Sequence, residues 1–161
     1  MDPQKSIALL NQAVADELQA VHQYMYWHFH LDDHGFGPLA ALLKRISIVE
    51  MTHVEKLAER ILFLKGDVKM VPSGPVDTAT EATEILTRAA ASEQKAVRDY
   101  NKAALECSAN ADAASKQIFE SLVVDEEGHF DAFDKQLENI KRFGPSYLAL
   151  QSFDGGESKS D

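Results

Sequence analysis

Residues 125–130 read DEEGHF, and within them Glu126-x-x-His129 offers a carboxylate and an imidazole to one face of a helix, because side chains three apart are neighbours there. Alone, such a cluster is explained as well by a solvated acidic face. A second Glu-x-x-His, Glu50 with His53, falls exactly 76 residues earlier, so shifting the chain on itself by that amount lays one motif over the other. The same shift lays AVADELQAVHQY (13–24) over AAASEQKAVRDY (89–100), pairing Glu17 with Glu93, Ala20 with Ala96, Val21 with Val97 and Tyr24 with Tyr100. The candidate ligand set is therefore Glu17, Glu50, His53, Glu93, Glu126 and His129.

Four glutamates and two histidines from four helices form the donor set of di-iron and di-manganese carboxylate bundles. Four carboxylates buried together without metal repel one another and are pushed toward their protonated forms. Two divalent cations balance them charge for charge. An oxygen-rich shell with two imidazoles suits iron or manganese better than soft metals.

Such a site needs four long helices, and the turn formers divide the chain accordingly. Asp2-Pro3 predicts an N-cap followed by proline at the first helical position, and HGFGP (34–38) predicts a break and a second start. Lys65-Gly66 predicts the end of that second helix. The stretch GDVKMVPSGPVDTAT (66–80) is too rich in turn formers to be helical, and Thr78-x-x-Glu81 predicts a capping box for a third helix. CSANAD (107–112) is a weaker break before a fourth, which Phe143-Gly144-Pro145 ends, and SYLALQSF (146–153) suggests a short fifth. If Glu17 and Glu50 are level on antiparallel neighbours, their turn falls midway, inside LDDHGFGP. The midpoint of Glu93 and Glu126 falls inside CSANAD. The expected fold is all-α: a four-helix bundle of two hairpins joined by one long crossover, able to run back along a bundle about 45 Å long. We expect one domain over residues 1–153 and a flexible tail over 154–161.

The bulk properties agree. The 161-residue chain is 45% hydrophobic and 26% charged, with a formal net charge of −10. That charge argues against partners such as nucleic acid or an anionic membrane surface and favours cations. The single cysteine, Cys107, excludes an intrachain disulfide or a thiolate cluster. The start lacks the pattern of a signal peptide, and no run suits a membrane span, so a cytoplasmic location is expected.

The stretches ELQAVHQYMYWHFHLDDHGFG, IVEMTHVEKLAERILFLKG, DEEGHF and FGPSYL together resemble bacterioferritin, a haem-containing member of the ferritin-like superfamily, over residues 3–153. The resemblance implies a ferroxidase that oxidises Fe(II) with oxygen or hydrogen peroxide at a di-iron centre. It also implies storage of ferric mineral inside a hollow homo-oligomer, a 24-mer built from two-fold dimers. Glu17, Glu50, His53, Glu93, Glu126 and His129 match the centre's ligands, with Glu50 and Glu126 as bridges. Tyr24 matches a tyrosine near the centre, an electron donor or a hydrogen-bonding neighbour; whether Tyr100 acts likewise or merely packs is open. Met51 matches a methionine that binds haem, of b-type or a related iron porphyrin, together with its copy across a two-fold axis. One residue along a helix turns a side chain about 100°, so Met51 would face away from the metal site, on a face that Leu18, Met25 and Ile48 could share. Haem would assist iron release by accepting electrons from a reductant such as a ferredoxin. Some family members carry a histidine and an aspartate before this Glu-x-x-His that form an inner-surface iron site. Here those positions hold Arg45 and Val49, so that site is not expected. His22, His28, His30 and His34 fall outside the repeat and are expected at surfaces or interfaces.

Overall fold

Helix ends follow from side chains that satisfy otherwise orphaned backbone groups. In the computed structural model, which describes residues 1–153, Asp2 caps α1 (Pro3–Asp33) by accepting the Gln4 N–H. A tight turn leads to α2 (Gly37–Phe63), with Gly35 in the left-handed region at φ 81°. Asp112 caps α4 (Ala113–Phe143) by accepting the Ser115 N–H, and Arg60 of α2 donates to the same carboxylate at 2.7 Å. A short α5 (Pro145–Leu150) folds back on α4, where the Tyr147 hydroxyl donates to Gln136 at 2.5 Å. The tail expected over 154–161 lies outside the described residues, and among those residues there is no strand. Among the described residues no helix is long and apolar enough to cross a membrane.

The expected boundaries need two corrections. α3 (Ala82–Ala109) is capped by Glu81 itself, which accepts the Thr83 and Glu84 N–H groups, so Thr78 opens no capping box. Residues just before Glu81 are held elsewhere: Gln23 on α1 accepts the Asp77 N–H at 2.6 Å and donates to the Asp77 carbonyl at 2.9 Å. α2 ends just before Lys65-Gly66, as expected, with Lys65 in the left-handed region (φ 64°). Gly66 is needed for space, since a Cβ there would meet Ile7 at 2.9 Å. The break in CSANAD is narrower than its composition suggests, with α3 continuing through Ala109 and Ala111 taking the left-handed turn at φ 55°.

α1 packs chiefly on α2 and α3 on α4, giving the two expected hairpins. The crossover between them is stapled to α1 by three amide side chains that each both accept and donate. Asn11 bonds Lys69 N–H and the Asp67 carbonyl, Gln19 bonds Gly74 N–H and the Pro75 carbonyl, and Gln23 bonds Asp77. These bonds satisfy backbone groups that helix or sheet would otherwise pair.

The interior is divided into two apolar clusters. One holds Leu10, Val14, Leu57, Ile61, Phe119 and Leu122, and also Tyr100. The other holds Trp27, Leu31, Leu43, Ile85, Leu86 and Phe133, and also Tyr24. Truncating Asn11 to alanine would remove its bonds to the Lys69 N–H and the Asp67 carbonyl, and an intramolecular hydrogen bond contributes about 0.5–1.5 kcal/mol net. Asn11→Ala should therefore lower the thermal midpoint measured by circular dichroism without changing helical content at low temperature.

Candidate metal centre

Between the two apolar clusters lie all six residues singled out by the repeat. Glu17 comes from α1, Glu50 and His53 from α2, Glu93 from α3, and Glu126 and His129 from α4. All four glutamates and His53 are at most 2% exposed. One donor atom from each of Glu17, Glu50, His53 and Glu126 lies within 4.8 Å of the others, and the same holds for Glu50, Glu93, Glu126 and His129. These two constellations share Glu50 and Glu126.

The shared carboxylates face both histidines. Glu50 Oε2 is 2.8 Å from His53 Nδ1 while its Oε1 is 3.0 Å from His129 Nδ1. Glu126 likewise places Oε1 3.3 Å from His53 and Oε2 2.9 Å from His129. The other two glutamates each serve one side: Glu17 lies 3.5 Å from His53 and Glu93 lies 4.0 Å from His129. The tyrosines cross between hairpins, Tyr24 donating its hydroxyl to Glu93 and Tyr100 donating to Glu17 at 2.6 Å. Tyr100 therefore does more than pack.

Both oxygens of Glu50, Oε1 of Glu126 and Nδ1 of His53 are buried without a hydrogen-bond partner. Buried polar atoms are normally paired, and an orphaned set converging on one point calls for an occupant. Two small divalent cations fit: they would satisfy these atoms and neutralise the carboxylates.

Without them, protons do part of that work. Burial raises the pKa of Glu17 and of Glu93 well above the usual carboxylate range, and neighbouring carboxylates add to the effect. Burial disfavours the charged form of His53, but the carboxylates of Glu126, Glu17 and Glu50 gathered around its Nδ1 prevail and push it up to about 12. His129 is pushed up to about 9, burial again being outweighed by the carboxylates of Glu126 and Glu50 beside it. Glu126 is held down at about 2, because the bond from His129 and the close approach of His53 outweigh its burial.

A cavity of about 290 Å³ lies over Glu17 and Glu93, bounded by α1, α3 and the crossover residues Ser73 and Asp77. Met51 points away from the centre and is 49% exposed, as is Ile48, while Leu18 and Met25 are half-buried. Of the other histidines, His22 and His34 are exposed, whereas His28 and His30 are half-buried. The sequence repeat did not single out Asp125, which stands 3.1 Å from His53 Nε2. Its counterpart under the 76-residue shift is Val49, so the repeat carried no signal for it.

A bundle of two hairpins with a long crossover, enclosing paired glutamate and histidine sets, defines the ferritin-like class, and the ferritin-like domain family matches residues 7–143. The bacterioferritin of Rhodobacter capsulatus is 39% identical over 147 residues, covering 91% of each chain. That of Desulfovibrio desulfuricans is 37% identical over 145 residues, 90% of this chain and 81% of the relative. A crystal structure of the Desulfovibrio desulfuricans bacterioferritin, solved with its diiron site in different catalytic states, superposes with a TM-score of 0.90 at 35% identity, over 99% of this chain and 95% of that one. The chain belongs to the bacterioferritin family.

The raised histidines and the raised Glu17 and Glu93 all favour the folded metal-free protein at low pH. For His129 that contribution is complete below about 6.5 and is lost as pH rises through about 9. The melting temperature of metal-free protein should accordingly fall between these values, and two equivalents of Co(II) should remove the decline.

Proposed function

We propose that this chain is the subunit of a ferroxidase and iron store, in which Glu17, Glu50, His53, Glu93, Glu126 and His129 bind two ferrous ions as substrate. The observation that carries this reading is the pair of four-residue constellations sharing Glu50 and Glu126. Carboxylates that reach both positions would hold the two ions about 3.5–4 Å apart, the spacing typical of two-metal sites. At that distance two one-electron donors act together. Hydrogen peroxide accepting both electrons with two protons leaves as two water molecules; oxygen accepting two electrons and two protons leaves as hydrogen peroxide.

The protein's residues supply position and charge. Glu17 and Glu93 serve one position each, and the hydroxyls of Tyr100 and Tyr24 fix their orientation. Tyr24 also stands close enough to serve as an electron source. The apolar clusters on either side exclude water, which strengthens the electrostatic attraction between carboxylate and cation. Protons held by His53, His129, Glu17 and Glu93 leave as ferrous ions enter, as ligand deprotonation requires.

Storage follows from assembly into a homo-oligomeric 24-mer, within which ferric product accumulates as mineral. The exposed Met51 and Ile48, beside Leu18 and Met25, fit a face shared with a second copy. There the Met51 thioethers of two chains would hold one haem, b-type or a related iron porphyrin. Haem supplies one-electron transfer, and a reductant such as a ferredoxin would use it for iron release. The net charge of −10 suits attraction of cations.

In air, purified protein given ferrous iron far beyond two per chain should show a fast phase saturating near two, then slower uptake of many more in the soluble fraction. A fast phase that stops there would indicate a di-metal enzyme without storage. No acceleration over buffer would refute the ferroxidase reading. Glu93→Ala should lose the fast phase while keeping its helical circular dichroism. Met51→Leu should lose haem with the fast phase intact, and retained bis-methionine haem spectra would contradict the role of Met51.

A further inference from the structure

The centre is nearly two-fold symmetric: exchanging the hairpins exchanges Glu17 with Glu93, Tyr24 with Tyr100, Glu50 with Glu126 and His53 with His129. Behind the histidines the exchange fails. His53 aims Nδ1 at Glu50 and Glu126, and its Nε2 lies 3.1 Å from Asp125 Oδ2. An ionised carboxylate only accepts, so Nε2–H is the donor and Nδ1 is the nitrogen left to face the site. Lys56 Nζ sits 3.6 Å from the same Asp125 oxygen, which steadies it. The 76-residue shift carries Asp125 onto Val49 and Lys56 onto Ala132. Valine offers no acceptor, and among the described residues His129 makes its carboxylate contacts only through Nδ1.

A carboxylate behind a ligating imidazole fixes its tautomer and ring orientation and makes it a better donor; removing such a partner typically costs about 10–100-fold in metal affinity. We propose that Asp125 is a positioning residue that makes the two metal positions unequal, so that the position served by Glu17 and His53 holds its ion more tightly than the position served by Glu93 and His129. The inference rests on the di-metal reading above and adds an order of filling to it. Asp125 is 38% exposed, so the lower end of that range applies, about 10-fold.

Anaerobic titration of metal-free protein with Co(II), followed by visible ligand-field bands and calorimetry, tests this without any turnover. Wild type should bind in two steps separated by about 10-fold in affinity. Asp125→Ala should weaken the tighter step toward the other, and Asp125→Asn, which keeps an acceptor oxygen, should recover part of the difference. Val49→Asp, which installs the missing partner behind His129, should tighten only the weaker step. Glu93→Ala should remove the weaker step and leave the tighter one. Two equal steps in wild type, or unchanged steps in Asp125→Ala, would overturn the inference while leaving the di-metal centre intact. Loss of the tighter step in Glu93→Ala would overturn it too, and failure of wild type to take up any Co(II) would refute the di-metal reading itself.

Discussion

Four carboxylates buried at the middle of a helical bundle are the constraint on which the rest of this structure turns. Taking a charge out of water costs several kcal/mol even after relaxation, and like charges raise that cost. Apolar side chains of similar volume would generally leave such a bundle as stable or more so. Their presence therefore reflects chemistry rather than folding, and the fold must hold them together against their repulsion. It does so by setting an apolar cluster at each end, with Trp27 and Phe133 at one side and Phe119 and Leu57 at the other.

The tyrosines connect these layers. Tyr24 is packed 5.7 Å from Phe133 and Tyr100 5.9 Å from Phe119, measured between ring centres, so each is anchored in its own apolar cluster. Their hydroxyls meet glutamates on the opposite hairpin, which ties α1 to α3 through the centre itself. Packing within each hairpin is extensive, whereas α1 and α3 touch less. The crossed tyrosine bonds and the amide staples on the crossover accordingly set the register between the hairpins, and with it the distance between Glu17 and Glu93.

The fold and the convergence of four glutamates and two histidines were legible because both are periodic. Turn formers marked the helix ends to within a few residues, and one shift of the chain paired every residue of the cluster with a counterpart. What escaped was aperiodic. Thr78-x-x-Glu81 has the composition of a capping box, yet Gln23 holds the neighbouring backbone against α1, and only a long-range contact reveals this. Asn11, Gln19 and Gln23 look like ordinary polar positions on a helix; their bonds lie more than fifty residues away in sequence. Asp125 escaped because an internal repeat can identify only what it repeats. Tyr100 stayed open because a tyrosine at a core position packs or donates equally well until its partner is seen.

The inner and outer faces of α2 are set by adjacent residues. Glu50 is buried at 1% exposure in the centre, whereas Met51, one step and about 100° further round the helix, is 49% exposed beside Ile48. A helix with one apolar stripe would bury it against its own bundle. α2 does this through Leu39, Leu43, Leu57 and Ile61, and still leaves Ile48, Met51, Leu62 and Phe63 outside. An isolated monomer gains nothing from leaving Ile48 and Met51, three apart on one face, in water, which favours association. The same turn of helix thus carries the buried carboxylate centre on one face and an exposed apolar surface on the other, and rigid backbone fixes the angle between them.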